Sequence, residues 1–267
     1  MIIDSHIHTA WNDQMLSDDS KLTKIPFNKE SLLLEMKKAG VVNALSIAFK
    51  SMNNNLDTSA PTPWVDDEKL PNIKFAASIN PHLCTGKSLT DMKILAKNKK
   101  ISAIKIYLGY FYKYATDKEY LPYYELAAKY KLPVIFHTGD TFSDKGKLKF
   151  SQPLQIDELA VDFPKTNFVI AHMGNPWLMD SAAVIYKNKN VYGDLSGFAI
   201  GRIDKNTIID KKMILSALEY CEYKRIIYGS DWPLVRMDEY INLIRKLVPA
   251  KHHKKVFYET AKKLFSF

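Results

Sequence analysis

Six residues of types that bind divalent metal ions stand at the tails of apolar segments spread along this chain: His6, His8, Lys105, His137, His172 and Asp231. His6 and His8 alternate within Asp4-Ser5-His6-Ile7-His8. Side chains of a strand repeat every second residue, so both imidazoles face one way and can meet on one ion. Neutral imidazole and carboxylate form the ligand set of catalytic zinc, and the chemistry within reach is activation of water or polarisation of a carbonyl. A lone histidine at a strand end is ordinarily a hydrogen-bonded structural residue, and His82, His252 and His253, which lack partners in the pattern, read that way. Lys105 admits two readings: a site residue, or a lysine that ends the run Ile101-Ser102-Ala103-Ile104 and snorkels from the rim.

Such residues converge only if the fold carries them to one place. Short apolar, β-rich runs recur at about 2–8, 41–48, 74–79, 101–107, 132–137, 167–171, 190–194 and 225–230, with helical stretches between them. That alternation predicts an α/β fold, a distorted single-domain (β/α)8 TIM barrel over residues 1–267. All six candidates then fall near the C-terminal ends of strands, the face where barrel enzymes keep their active sites. Asn28 is expected to cap a helix through Met36 that stops at Gly40, Ser88 to cap one containing Met92 and Leu95, and Pro176 to open one running to about Tyr186. The connections 49–72 and 138–152 are too long for simple turns and are expected to act as lids or substrate walls.

Aromatic side chains cluster near the same face, at Tyr107, Tyr110, Phe111, Tyr112 and Tyr114, with Trp11 and Trp232. Tyr107, on the face of Lys105, and Trp232, next to Asp231, are the substrate-binding candidates. The other tyrosines are expected to pack their loop. Asp140 either binds substrate hydroxyls or caps a turn.

The length of 267 residues suits one large core, and 46% apolar with 25% charged residues excludes the disordered profile. The 38 basic residues exceed the 29 acidic ones, but the lysines spread over helix faces as solvated surface does. A small-molecule substrate is expected, with no nucleic acid and no membrane as partner, and a homo-oligomer is left open. Met1-Ile2-Ile3 runs straight into the first strand with no signal-peptide pattern, and Cys84 and Cys221 are too few for a disulfide framework, so a cytoplasmic location is expected.

The words Ile3-Asp4-Ser5-His6-Ile7-His8, Pro133-Val134-Ile135-Phe136-His137-Thr138-Gly139, Val169-Ile170-Ala171-His172-Met173-Gly174 and Tyr228-Gly229-Ser230-Asp231-Trp232-Pro233 span almost the whole chain. In this order they resemble the amidohydrolase superfamily, most closely its amidohydrolase-2 branch of metal-dependent barrel hydrolases and decarboxylases. The resemblance implies that His6, His8, His137 and Asp231 bind a first divalent metal, zinc before manganese, with His172 close to the substrate. In two-metal members a carboxylated lysine on the fourth strand bridges the ions and the histidines of strands five and six hold the second; Lys105 stands where that lysine would. In mononuclear members Lys105 would remain an ammonium and pair with a substrate carboxylate. Asp231 is the expected base, and His172 the group that holds the substrate oxygen or a developing oxyanion. The ending Tyr258-Glu259-Thr260-Ala261-Lys262-Lys263-Leu264-Phe265 departs from the family's Gly-Asn-Ala-x-Arg-Leu-Phe pattern.

Three activities compete under that resemblance. The first is hydrolysis of a lactone, amide or related carbonyl compound; the second is decarboxylation or hydration of an aromatic-derived acid. The third, a nuclease resembling the TatD deoxyribonucleases, stands lower, because Gly229-Ser230-Asp231-Trp232-Pro233 ends strand eight and Lys105 replaces the glutamate expected on strand four.

Overall fold

The computed structural model describes residues 1–52, 55–56, 62–66, 69–204, 207 and 209–267. Eight strands lie side by side in chain order: β1 (Ile2–Ile7), β2 (Val41–Ile47), β3 (Ile73–Ser78), β4 (Ala103–Tyr107), β5 (Val134–His137), β6 (Phe168–Ile170), β7 (Val191–Asp194) and β8 (Ile226–Ile227). Neighbours pair in parallel. The two edges meet, because Ser5 N donates to Tyr228 O (2.9 Å), Asp231 N to His6 O (2.8 Å) and His8 N to Trp232 O (2.9 Å). The sheet is thereby a (β/α)8 barrel, as the alternation of runs predicts.

Strands buried on both faces read as continuous apolar runs. Ile3, Leu45, Ala76, Ala103, Ile135, Val169 and Ile227 fill the barrel interior, while their neighbours Ala44, Ile104, Phe136, Phe168 and Ile226 pack outward against the helices. On β1 the register shifts: Asp4 pairs with Ala44 and Ile7 with Ser46, so Ser5 and His6 together oppose Leu45. This bulge resets the alternation. Ile3 and His6, three apart, can both face inward, and His8 follows two residues on.

The helices are α1 (Gln14–Thr23), α2 (Lys29–Ala39), α3 (Gly86–Lys97), α4 (Leu121–Tyr130), α5 (Gln155–Asp162), α6 (Leu178–Lys187), α7 (Lys211–Tyr220), α8 (Met237–Leu247), α9 (Ala250–Lys254) and α10 (Thr260–Phe265). Asn28 caps α2 through Ser31 N, and Gly40 ends it at φ 72°, as expected. The cap of α3 is Thr85, not Ser88; Ser88 is the reciprocal partner of a capping box, its hydroxyl accepting from Thr85 N. Pro176 lies outside α6, whose N-cap is Trp177. Among the described residues no helix joins β2 to β3; a short hairpin, Ser51–Met52 with Asn55–Leu56, stands in that connection. The rest of the expected 49–72 wall lies partly outside the described residues. No helix of the described residues is long and apolar enough to cross a membrane.

The divergent C-terminal segment closes the bottom of the barrel. Ala261, Leu264 and Phe265 join the interior cluster, and Lys74 Nζ, at the start of β3, donates to Phe265 O (3.0 Å) and Ser266 O (2.7 Å). The top is left to the polar residues at the strand ends.

Candidate active site

The closing seam carries the most compact group of ligand atoms. One ligand atom each from His6, His8 and Asp231 lies within 4.8 Å of the others, and all three residues are buried. His6 Nε2 is 3.4 Å and His8 Nε2 3.1 Å from Asp231 Oδ1. The outer nitrogens are committed elsewhere: His6 Nδ1–H donates to Asp194 Oδ2 at 2.6 Å, and His8 Nδ1–H to Ile47 O at 2.9 Å. With each Nδ1 turned to its own acceptor, both Nε2 atoms are left to face Asp231 Oδ1. A cation fits such a donor set, and the Nδ1 bonds are the outer hydrogen bonds that orient metal-binding histidines. Burial lowers the pKa of His6, and Lys105 lowers it further. Burial alone would raise Asp231, yet the imidazoles of His6, His8 and His172 hold its carboxyl well below the usual range.

Asp231 adopts φ 66°, a left-handed conformation that is uncommon for a residue with a side chain. The turn sends its carboxylate into the barrel and the next side chain outward. Trp232 is fully buried against Trp11 and Phe27 and does not line the cavity, which corrects its expected role in substrate binding. Adjacency in sequence to Asp231 placed it on the opposite face.

His172 is also left-handed, at φ 58°. Its Nδ1 lies 2.9 Å from Ser196 Oγ, and that hydroxyl donates to Asp194 Oδ2 at 2.8 Å. A hydroxyl has one proton to give, so Ser196 accepts from His172 Nδ1–H and the bare Nε2 of His172 is its remaining polar atom. Burial pushes His172 down to about 4, against the pull of Asp231, so the ring is neutral. A Cβ on Gly197 would stand 2.5 Å from His172 Nδ1, and the chain there runs at φ 76°; both demand glycine.

Lys105 and His137 complete the floor. Lys105 is 1% exposed, and burial pushes its ammonium down to about 8 despite Asp231 and Asp194. Its Nζ lies 4.9 Å from the centre of the Tyr107 ring. His137 Nε2–H donates to Asp140 O (2.9 Å), and its ring centre is 5.1 Å from that of His172. His137 and His172 therefore adjoin the seam trio without belonging to it. Burial, with His172 and Lys105, holds His137 well below the ordinary histidine value.

These groups line a cavity of about 500 Å³. Its walls come from α1 (Met15, Leu16, Asp19), from Phe49 after β2, from Tyr107 and Tyr110, from Asp140, Thr141 and Phe142 after β5, and from Phe198, Ala199 and Ile200 after β7. The 138–152 connection thus lines the cavity with its first residues. Tyr107 lines the cavity, its hydroxyl donating to Ala48 O at 2.8 Å. Tyr110 lines it too, contrary to its expected packing role, because Phe142 N donates to its hydroxyl (2.8 Å) and fixes it at the rim. Tyr112 and Tyr114 pack on Phe150, and Trp11 on Phe27, all away from the cavity lining. His82, His252 and His253 contact Phe111, Tyr223 and Val248 O respectively, outside the site.

Sequence reading missed Asp194, Ser196 and Asp19. Asp194 ends an apolar strand in the manner of the other site residues, and that position was the available signal. Nothing local marks Ser196 or Asp19.

A family model described as Amidohydrolase matches residues 3–267. Among curated proteins, no sequence matches the chain. An uncharacterised TIM-barrel protein from Bordetella bronchiseptica superposes with a TM-score of 0.75 at 18% identity, over 99% of this chain and 98% of that one. A probable 2-pyrone-4,6-dicarboxylic acid hydrolase from Acinetobacter baumannii gives 0.67 at 15% identity, over 100% and 99%. A 5-carboxyvanillate decarboxylase from Novosphingobium aromaticivorans, complexed with manganese and 4-hydroxy-3-methoxy-5-nitrobenzoic acid, gives 0.67 at 13% identity, over 100% and 96%. At these identities the structures share the fold.

Proposed function

Because this chain belongs to the amidohydrolase family, we propose that it is a metal-dependent hydrolase acting on a carbonyl-type bond of a small molecule, such as a lactone or an amide. The observation that carries this reading is the convergence of His6 Nε2, His8 Nε2 and Asp231 Oδ1 in the lining of a cavity. These residues would hold the ion, with His137 and His172 beside them. Zinc is the first expectation from the imidazole and carboxylate donors, and manganese the second, since a similar fold holds it. A divalent ion supplies Lewis acidity there, polarising a carbonyl and bringing water's pKa from about 15.7 towards 7.

Asp231 Oδ2, which faces His172 Nδ1 at 4.0 Å, is the atom that takes the proton of the attacking water and returns it to the leaving group. His172 Nε2 accepts a hydrogen bond from the water or from a substrate hydroxyl. In its neutral form it has no proton to offer an oxyanion, a task that falls to Lys105 as the cation of the floor. The lowered pKa of Lys105 also favours the neutral amine that reacts with carbon dioxide, so a carbamate holding a second ion is the binuclear form of the same reading.

A decarboxylase is the second reading, favoured by the buried ammonium of Lys105, which could pair with a substrate carboxylate, and by the shared fold of the carboxyvanillate enzyme. Fold alone does not separate the two. The test is His6→Ala and Asp231→Asn, assayed for bound metal and for turnover of lactone and amide panels. Folded variants with turnover lowered by about 10²-fold or more are expected. Wild-type turnover by either would end the proposal.

A further inference from the structure

The cavity that holds the seam trio has a charge pattern of its own. Its described lining carries the carboxylates of Asp19, Asp140 and Asp231 against the single ammonium of Lys105. None of the chain's arginines reaches it: Arg202 pairs with Glu239, Arg236 with Glu35, Arg225 donates to Val191 O, and Arg245 lies over Phe257. The guanidinium fork that recognises a carboxylate is therefore missing from the described lining.

Asp19 stands on α1, the helix that the chain inserts between β1 and α2. Met15, Leu16 and Asp19 share one face of it, at helical spacing, and that face lines the cavity. Asp19 Oδ2 is buried and has no hydrogen-bond partner among the described residues. A buried, unpaired acceptor is costly unless something fills it. Burial and the carboxylates of Asp18, Asp13 and Asp231 push Asp19 up to about 6, as befits an anion without a counter-charge. Phe49, Tyr110 and Phe142 in the same lining suit a ring.

We propose that Asp19 determines the specificity of this cavity: it accepts a hydrogen bond from a hydroxyl or ammonium on the substrate, separate from the group held by His6, His8 and Asp231. The substrate is then a ring-bearing carbonyl compound that carries a donor for Asp19 and no second carboxylate. This rests on the proposed function for the identity of the reacting end, but not for its chemistry. A dicarboxylate would set its second charge against Asp19, with Lys105 the one cation of the described lining to offset it.

Binding separates this claim from the question of turnover. Wild-type protein with its own metal is titrated calorimetrically with 3-(hydroxymethyl)benzoate and with isophthalate, which share the ring and one carboxylate and differ only in the far group. At least tenfold tighter binding of the hydroxymethyl compound is expected. Asp19→Asn should erase most of the preference, and Asp19→Arg should reverse it, with thermal unfolding showing both variants folded. Equal or tighter wild-type binding of isophthalate, failure to bind the hydroxymethyl compound, or an undiminished preference in folded Asp19→Asn would overturn the assignment. None of these outcomes depends on hydrolysis, so a failed activity screen leaves the result intact.

Discussion

Ser196 and His172 are joined at 2.9 Å, Oγ to Nδ1, and the same hydroxyl donates to Asp194. The bond fixes which nitrogen of His172 carries its proton and which is bare. Ser196→Ala removes that constraint together with a 3.2 Å contact to His6 Nδ1, while the 2.6 Å bond from His6 to Asp194 stays. We predict a fall in kcat of about tenfold or more with unchanged metal content. A parallel loss of metal would mean that Ser196 supports the ligands instead of His172.

Asp194 holds the outer nitrogen of His6 at 2.6 Å and is itself kept ionised, the imidazole outweighing the effect of burial. In Asp194→Asn the amide can present its NH2 to that nitrogen, which favours the wrong tautomer. Metal affinity should weaken about 10–100-fold, as measured by competition with a chromophoric chelator. An unchanged dissociation constant would remove Asp194 from the site.

Lys105 decides between one ion and two. If the lysine is carboxylated, Lys105→Ala should halve the metal bound per chain, measured by elemental analysis against amino-acid analysis. Unchanged stoichiometry with weaker substrate binding would assign it the ammonium role. Its burial makes loss of stability a concern, so Lys105→Met serves as the closer match in shape.

Asp4 gives the fold a pH signature. Its Oδ1 accepts from Ser230 N (2.9 Å) and His6 N (3.2 Å), tying β1 to the end of β8, while its Oδ2 is buried with no hydrogen-bond partner among the described residues. Burial raises its pKa to about 7, against the lowering bonds from Ser230 and His6. An unfolded aspartate titrates near 3.9, so between roughly pH 4 and 7 the native state binds more protons than the unfolded one. This contribution to stability is full below the unfolded value and is lost as pH rises through the native one. Asp4→Asn lacks that dependence. The Tm of the variant, relative to wild type, should therefore rise from pH 5 to pH 8; parallel curves would refute the assignment.

How far the sequence reaches depends on how local the signal is. Each strand announces itself through its own apolar run, and His6, His8 and Asp231 lie in short words that end such runs, so the barrel and the trio were legible. Trp232 misled because the left-handed turn at Asp231 reverses the facing that adjacency suggests. Tyr110 and Asp19 were illegible for another reason. Their exposure to the cavity depends on the loop after β5 and on α1 folding back over the barrel mouth, contacts made between segments remote in the chain. That no helix joins β2 to β3 among the described residues could have been suspected from a stretch rich in Asn and Pro, residues that favour turns.

The meeting of β1 with the end of β8 has a temporal meaning as well. β1 leaves the ribosome long before the segment 228–232 that it pairs with, and contacts of such long sequence separation form late and slowly. Until then β1 presents an unpaired edge, and His6 and His8 are separated from Asp231. Completion of the barrel and assembly of the ion site are one event. An ion bound by these three residues is thus a clasp that only a finished molecule can fasten, and it adds its binding free energy to the native state alone.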